Sequence, residues 1–399
     1  MSKLHPNLVQ AVVEALQQIF QEGYYADKVI ERLLRSNPKW GARDRAFIAE
    51  SVYDMVRWYR LLYEVQGREP ANSADWLRLF GIWQVVRGET PPDWPEFKSI
   101  DVRSVLKKVH ALQGEARIRE SVPDWLYELI ENQLGGSQDA ILQALNEPAQ
   151  VVLRANTLQI SPARLQKQLQ QEGVETSLLD GAALLVSVRK NLFTTKAFQE
   201  GLFEVQDYSS QQVAPFLQVA PGMRVVDACA GGGGKSLHIA ALMEDKGHVI
   251  AMDTEGRKLE ELRKRARRAG TSIIETRTID NNKAIKRLEN TADRVLLDVP
   301  CSGLGVLRRN PDAKWKLSPE FVEKVQVTQY SILTSYSRMC KPGGRIVYAT
   351  CSILPIENQQ QVQRFLAAQD GKFVLLEDQT ISPIEGFDGF YMALMERKV

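Results

Sequence analysis

"VVDACAGGGGKSLHIA", Val225 to Ala240, reads as an apolar strand that ends in an acid, runs through four glycines and enters a helix. Glycine tolerates backbone dihedrals that other residues avoid, and it lets a ligand come close to main-chain N–H groups at a helix start. Further strands follow at helix-length intervals: "HVIAMD", "IETRTID", "DRVLLDV" and "GRIVYATC" after the first, "MRVVDAC". Alternating strands and helices imply an α/β domain, Rossmann-like, with a mostly parallel sheet covered on both faces. Ligands of such sheets bind beyond the carboxyl ends of the strands. Each of these strands ends in a group able to do chemistry: Asp227, Asp253, Asp280, Asp298 and Cys351.

The glycine loop can be tested against known ligand patterns. A phosphate-binding P-loop wants G-x-x-x-x-G-K-[ST]; "GKS" is present, but Cys229 stands where the first glycine is required. A dinucleotide loop G-x-G-x-x-G lacks its last glycine in every alignment. S-adenosylmethionine is the remaining option. The loop Cys229, Ala230, Gly231, Gly232, Gly233, Gly234 and Lys235 would hold its amino-acid part. Asp253, 26 residues after Asp227, would bind the ribose hydroxyls. Asp280 would contact the adenine edge, or else cap a helix.

Working outward, residues 206–399 form this catalytic domain. Residues 146–205 read as a small α+β piece: a strand in "VVLRANTL", a helix started by Ser161 and Pro162, and a strand in "ALLVSV". Residues 1–145 read as all-helical, with apolar residues at helical spacing in "LVQAVVEALQQIF" and "RDRAFIAESVYDMVRWYRLLYEV". "NEPAQ" at 146–150 marks the boundary. Four cysteines in 399 residues are no disulfide framework and suit a reducing cytoplasm. The four histidines make no zinc-spaced cluster with them, so no metal is expected. No apolar run is long enough for a membrane span, and the start, "MSKLHPNLVQ", lacks a secretory core. Nothing demands more than a monomer. Net charge is only +2, but residues 255–350 hold 20 Lys/Arg against 11 Asp/Glu. That excess surrounds the two cysteine motifs and suits a polyanionic partner, although the run Arg263 to Arg268 alone also reads as a solvated helix face.

Those motifs are "DVPCSGLG", Asp298 to Gly305, and "VYATCSI", Val347 to Ile353. A buried lone cysteine is usually a small core residue, which is the reading for the thiols of Cys229 and Cys340. Cys301 and Cys351 differ because each sits where a strand leaves the sheet's ligand edge. A thiolate adding to carbon 6 of cytosine makes carbon 5 enamine-like and able to accept a methyl group; the carbon 5 proton must then leave before the sulfur can be eliminated. That chemistry needs a nucleophilic sulfur, an acid, a base and a methyl donor. Two thiols, Asp298 and the glycine loop offer them.

The chain resembles the RNA 5-cytosine methyltransferases of the bacterial Sun/Fmu type, the NOL/NOP/Sun family, over its C-terminal 250 residues. The resemblance rests on "RANTL", "GLFEVQDYSSQ", "DACAGGGGKS", "LLDVPCSGLGVLRRNPDAKW", "KPGGRIVYATCSILPIENQQQV" and "FDGFYMA". It implies that Cys351 is the nucleophile and that Cys301 helps release product or takes the carbon 5 proton. It also implies that Asp298 assists the base near the methionine end of the cofactor. Gln206, Asp207 and Ser210 match a block beside the family's active site. Where the family has Cys-Ala-Ala-Pro-Gly-Gly-Lys, Gly231 and Gly232 replace Ala-Pro, and Arg154-Ala155-Asn156-Thr157 replaces Arg-Val-Asn-Thr.

The N-terminal helices resemble the NusB-like RNA-binding domain of the family's bacterial ribosomal RNA enzymes, through "ADKVIERLLR" and "RDRAFIAESVYDMVRWYR". Arg43, Arg45, Arg57 and Arg60 would then touch phosphates. "RRNPDAKW", Arg308 to Trp315, would touch the target strand or form a structural loop. The expected substrate is small-subunit ribosomal RNA. The alternatives are a DNA cytosine-5 enzyme using Cys301, and a non-catalytic RNA-binding assembly factor. Protein amide methylation does not fit, because its Asn-Pro-Pro-Tyr strand end is absent.

Overall fold

The computed structural model describes residues 4–188 and 190–399. It divides into two compact units, residues 1–147 with 307–319, and residues 148–306 with 320–399.

The first unit is helical. Its longer helices are Pro6–Phe20, Ala26–Ser36, Ala42–Arg57, Tyr59–Gln66, Ser73–Val86, Val102–Leu112 and Asp124–Leu134. The periodic stretch from Arg43 to Val65 forms two helices, broken at Trp58, whose φ of −101° and ψ of 15° leave the helical region. Val12, Leu16, Ile48, Val52, Met55, Trp76 and Phe80 form the core. The chain returns to this unit at Leu307 and leaves it at Pro319, which the sequence reading did not anticipate. Trp315 packs edge-on against Tyr59 at 5.5 Å and donates from Nε1 to the Val56 carbonyl at 2.7 Å. Lys314, 2% exposed, donates to the Arg57 carbonyl at 2.8 Å. "RRNPDAKW" is therefore internal structure of the helical unit, and its contact with a target strand is not supported.

Three of the four arginines proposed for phosphate contact are also spent internally. Arg45 donates to the carbonyls of Trp40 and Leu34. Arg57 is buried and donates to the Arg308 carbonyl at 2.9 Å. Arg60 is buried against the Val122 carbonyl and Asp124. Buried backbone carbonyls require donors, and a long guanidinium at the right helical position serves that need. Only Arg43 of the four is exposed.

The second unit contains two sheets. The smaller has strands β1 (Val152–Ala155), β2 (Thr176–Leu178), β3 (Ala183–Val186) and β4 (Phe203–Val205) in the order β2-β3-β1-β4, all pairs antiparallel. Helix Pro162–Gln171, capped by the Ser161 hydroxyl, buries Leu165 and Leu169 against Leu153, Leu184 and Phe203.

The larger sheet has seven strands: β5 (Arg224–Asp227), β6 (His248–Asp253), β7 (Ile274–Thr278), β8 (Ala292–Asp298), β9 (Cys340–Thr350), β10 (Phe373–Ile381) and β11 (Phe390–Arg397). Their order is β10-β11-β9-β8-β5-β6-β7. β5 to β9 pair in parallel; β11 runs antiparallel to both β9 and β10. Successive side chains point to opposite faces, so each central strand feeds two cores. Val225, Val249, Leu296 and Val347 lie on one face, and Val226, Ile250, Leu297 and Ile346 on the other. Strand order reverses between β5 and β8, and a crevice opens at such a switch point.

Candidate active site

Register brings the reactive groups to one edge. Asp298, the last residue of β8, stands opposite Ala349 of β9. Cys301 follows Asp298 by three residues and Cys351 follows Ala349 by two. The two sulfurs lie 3.3 Å apart. A main-chain contact fixes the approach: the Gly305 N–H donates to the Cys351 carbonyl at 2.9 Å. A Cβ on Gly305 would meet that oxygen at 2.8 Å and the Gly389 carbonyl at 2.2 Å, so glycine is required there.

Cys301 is held well above the ordinary thiol range by its hydrogen bond to Cys351 and by burial. Lys235 pairs with the neighbouring carboxylate. Its ammonium donates to Asp298 Oδ2 at 2.7 Å and lies 5.1 Å over the Phe390 ring. Burial opposes its charge, but Asp298, Cys351 and Asp227 outweigh burial and raise its pKa above the usual lysine value. The lysine is thus kept as a cation beside Asp298. Burial pushes the Cys229 thiol well up and Cys340 up to about 12.

Next to this cluster lies a cavity of ≈ 260 Å³ lined by Ala228, Cys229, Gly231, Asp253, Thr254, Glu255, Lys258, Ile279, Asp298, Val299, Pro300, Ile332 and Tyr336. Asp253 accepts the Gly231 N–H at Oδ2 and the Glu255 N–H at Oδ1, both at 2.9 Å, which fixes the carboxylate at the cavity wall. Three carboxylates against one lysine suit a cationic ligand, while Ile279, Val299, Ile332 and Tyr336 offer apolar walls to a flat ring. S-adenosylmethionine, a sulfonium and an ammonium joined to a nucleoside, fits that donor set.

Of the loop residues, Cys229 and Gly231 line the cavity, whereas Ala230 is buried behind it. Gly233 takes φ +83° to start helix Gly234–Leu242. Gly232 and Gly234 are held from behind. Arg265 donates to the Gly232 carbonyl and Arg154 to the Gly234 carbonyl, each at 2.6 Å. Asp280 is not brought to the cavity: β7 ends two residues earlier, Ile279 turns inward, and Asp280 is exposed. The helix cap that follows is Asn281, which accepts from the Lys283 N–H.

Gln206 and Ser210 bond each other at 3.0 Å, and the Gln206 carbonyl oxygen of the side chain accepts from Arg154, so both support the Arg154 clamp. Asp207 caps helix Tyr208–Phe216 through the Ser209 N–H. The basic run Arg263 to Arg268 is divided: Arg265 and Arg268 pair with buried Glu204 of β4 at 2.9 and 2.5 Å. Arg154, Glu204, Thr254, Lys258, Ile332 and Tyr336 were not singled out for this site in the sequence, because only the folded chain shows what lies behind a loop or across a crevice.

Parallel strands with a switch point, a glycine loop and an acid-rimmed cavity define a Rossmann-like methyltransferase that uses S-adenosylmethionine. Residues 214–394 match the family described as 16S rRNA methyltransferase RsmB/F. Residues 122–189 match a ferredoxin-like domain described as RsmF/B-like. The chain is 36% identical to the probable ribosomal RNA small subunit methyltransferase B of Bacillus subtilis, over 89% of this chain and 87% of that one. It is 31% identical to the protein of the same name from Synechocystis, over 88% and 87%. Among solved structures, a methyltransferase homolog protein from Pyrococcus horikoshii aligns with a TM-score of 0.63 and 25% identity, over 71% of this chain and 98% of that one. The chain belongs to the RsmB/F methyltransferase family.

Proposed function

We propose that the protein methylates carbon 5 of a cytosine in small-subunit ribosomal RNA through a covalent adduct on Cys351. The observation that carries this reading is the thiol pair at 3.3 Å beside the Lys235–Asp298 ion pair, next to the cofactor cavity. When bound, S-adenosylmethionine supplies an electrophilic methyl group. Asp253 and Gly231 would hold it, with Asp298 where the cavity meets Lys235. Cys351 adds as thiolate to carbon 6, forming a carbon–sulfur bond and pushing electrons to carbon 5. Lys235 stabilises the thiolate before attack, as a nearby cation does for a nucleophilic cysteine. After methylation, carbon 5 still carries its proton. A base removes it, the carbon 5–carbon 6 double bond reforms, and the sulfur leaves. Cys301, beside the adduct, takes part in that release. The target base must stand out of its stack to reach the thiols.

Cys351 is favoured over Cys301 as nucleophile by Lys235, a cation held at Asp298 whose charge interacts with the Cys351 sulfur. That counts against a DNA-type arrangement with Cys301 in that role. The RNA substrate is supported by the names of the relatives. The helical unit contacts RNA by shape more than by charge, since residues 1–145 carry 18 basic and 20 acidic groups.

The test is methyl transfer from labelled S-adenosylmethionine into small-subunit RNA, bare and in particles, from a strain lacking the protein, followed by nuclease mapping. One labelled 5-methylcytosine is expected. Label on another base, or on the ring at another position, contradicts the reading.

A further inference from the structure

The loops that carry the two thiols meet at one carboxylate that sequence reasoning passed over. Glu357 is fully buried, with 0% exposure. Its Oε1 accepts from the Ser302 hydroxyl at 2.5 Å and the Ser352 hydroxyl at 2.6 Å. Its Oε2 accepts from the Ser302 N–H at 2.8 Å and from Gln329 Nε2 at 2.9 Å. Ser302 and Ser352 are the residues directly after Cys301 and Cys351. Gln329 also donates to the carbonyl of Pro300, the residue before Cys301. The main chain beneath the carboxylate is also held: the Tyr348 hydroxyl of β9 donates to the Glu357 backbone carbonyl at 2.6 Å. Neighbouring Asn358 bonds the Thr350 hydroxyl and the Ser352 carbonyl.

A buried carboxylate is costly unless its lone pairs are filled. Here four donors fill them, and they come from both thiol loops and from helix Pro319–Tyr336.

We infer that Glu357 is a positioning residue for the reaction, tying the Ser302 and Ser352 shoulders together so that Cys301 and Cys351 stay at working distance. It touches neither sulfur in the hydrogen-bond pattern and acts through the serines. The inference rests on the proposed roles of the thiols, but its geometric half can be read without any methyl transfer.

The experiment uses the full chain and phenylarsine oxide, which binds two thiols only when they are close. Wild type is expected to capture the arsenical, and Cys301→Ser to lose capture. Glu357→Ala is expected to slow capture at least about tenfold. It should also lower kcat about 10²-fold, the scale of a 1 Å misplacement, with KM for RNA within threefold. Glu357→Gln, which keeps the shape and two polar atoms, is expected to restore capture to within about threefold. If Glu357→Ala fails to fold, Ser352→Ala carries the test, with a smaller slowing of capture and a lower kcat at unchanged KM. Capture and kcat within threefold of wild type in Glu357→Ala, or unchanged in Ser352→Ala, overturn the inference. Wild type that captures the arsenical but methylates no cytosine leaves the geometric role standing and sinks the chemistry proposed for the thiols.

Discussion

Asp227, at the end of β5, is 1% exposed and accepts the Ser236 hydroxyl at 2.6 Å. Burial, opposed by that hydrogen bond, pushes its pKa up to about 7. The folded form therefore binds a proton that the unfolded chain has released. Below the unfolded value both states are protonated and nothing is lost. As pH rises from about 4 to about 7, the unfolded state is favoured and stability falls. Asp227→Asn removes that loss, and is expected to make the cofactor-free protein about 2 kcal/mol more stable than wild type at pH 8, a fraction of the shift at 1.36 kcal/mol per unit. The gain should vanish near pH 4. Denaturant unfolding at the two pH values measures it; an equal effect at both contradicts it. The residue scale was also the most legible in sequence. Cys301, Cys351, Asp298 and Lys235 were recognisable because each follows a strand end or a glycine run. Glu357 was not, because "PIENQ" has no periodicity and its partners lie in three separate elements.

At the scale of elements, the cofactor loop shows how a local weakness is met from outside. Gly232 stands where the family has proline, which adds up to about 1 kcal/mol of ordering entropy to the free loop. Arg265, from helix Gly256–Ala269, and Arg154, from β1, take the loop's carbonyls, and buried Glu204 of β4 pairs with Arg265. A charged donor on a carbonyl contributes about 1.5–3 kcal/mol. Arg265→Ala is accordingly expected to weaken S-adenosylmethionine binding about tenfold, read by calorimetry with RNA affinity unchanged; an unaltered cofactor affinity would show that the clamp is idle. The parallel strands β5, β6, β8 and β9 were legible as apolar runs closed by functional residues. β10 and β11 were missed, the first because its side chains are largely exposed and the second because an unbroken apolar run, "FYMAL", does not distinguish strand from helix. Strand ends were less secure than strands: placing Asp280 at the end of β7 overshot by two residues, which moves a side chain off the cavity.

At the scale of the whole molecule, the second thiol-bearing half of the chain also completes the helical unit. Residues 307–319 supply Trp315 to the cluster of Phe20 and Tyr59, and buried Lys314 to the Arg57 carbonyl. Sequence alone left the cations and the tryptophan of this segment open between target-strand contact and a structural loop, since composition does not reveal which charges are spent on main-chain carbonyls; the second reading is the one the fold supports. Trp315→Ala is expected to destabilise the helical unit by about 3 kcal/mol, the usual loss for a large aromatic. Denaturant unfolding checks this, with cofactor affinity staying within twofold; a loss below about 0.5 kcal/mol would mean that the segment only rests on the surface. The helical character of residues 1–145 was legible from periodicity, but the phosphate contacts expected of its arginines are not met by three of the four, whose donors are taken by main-chain carbonyls.

The covalent step on Cys351 is the centre of the account, and trapping tests it most directly. Cys301→Ala and Cys351→Ala are each incubated with small-subunit RNA and S-adenosylmethionine, then resolved under denaturing conditions. Cys301→Ala is expected to accumulate a protein–RNA adduct because release fails after methylation, while Cys351→Ala forms none and transfers no methyl group. Normal turnover by Cys351→Ala, or an adduct formed by that variant, contradicts the account.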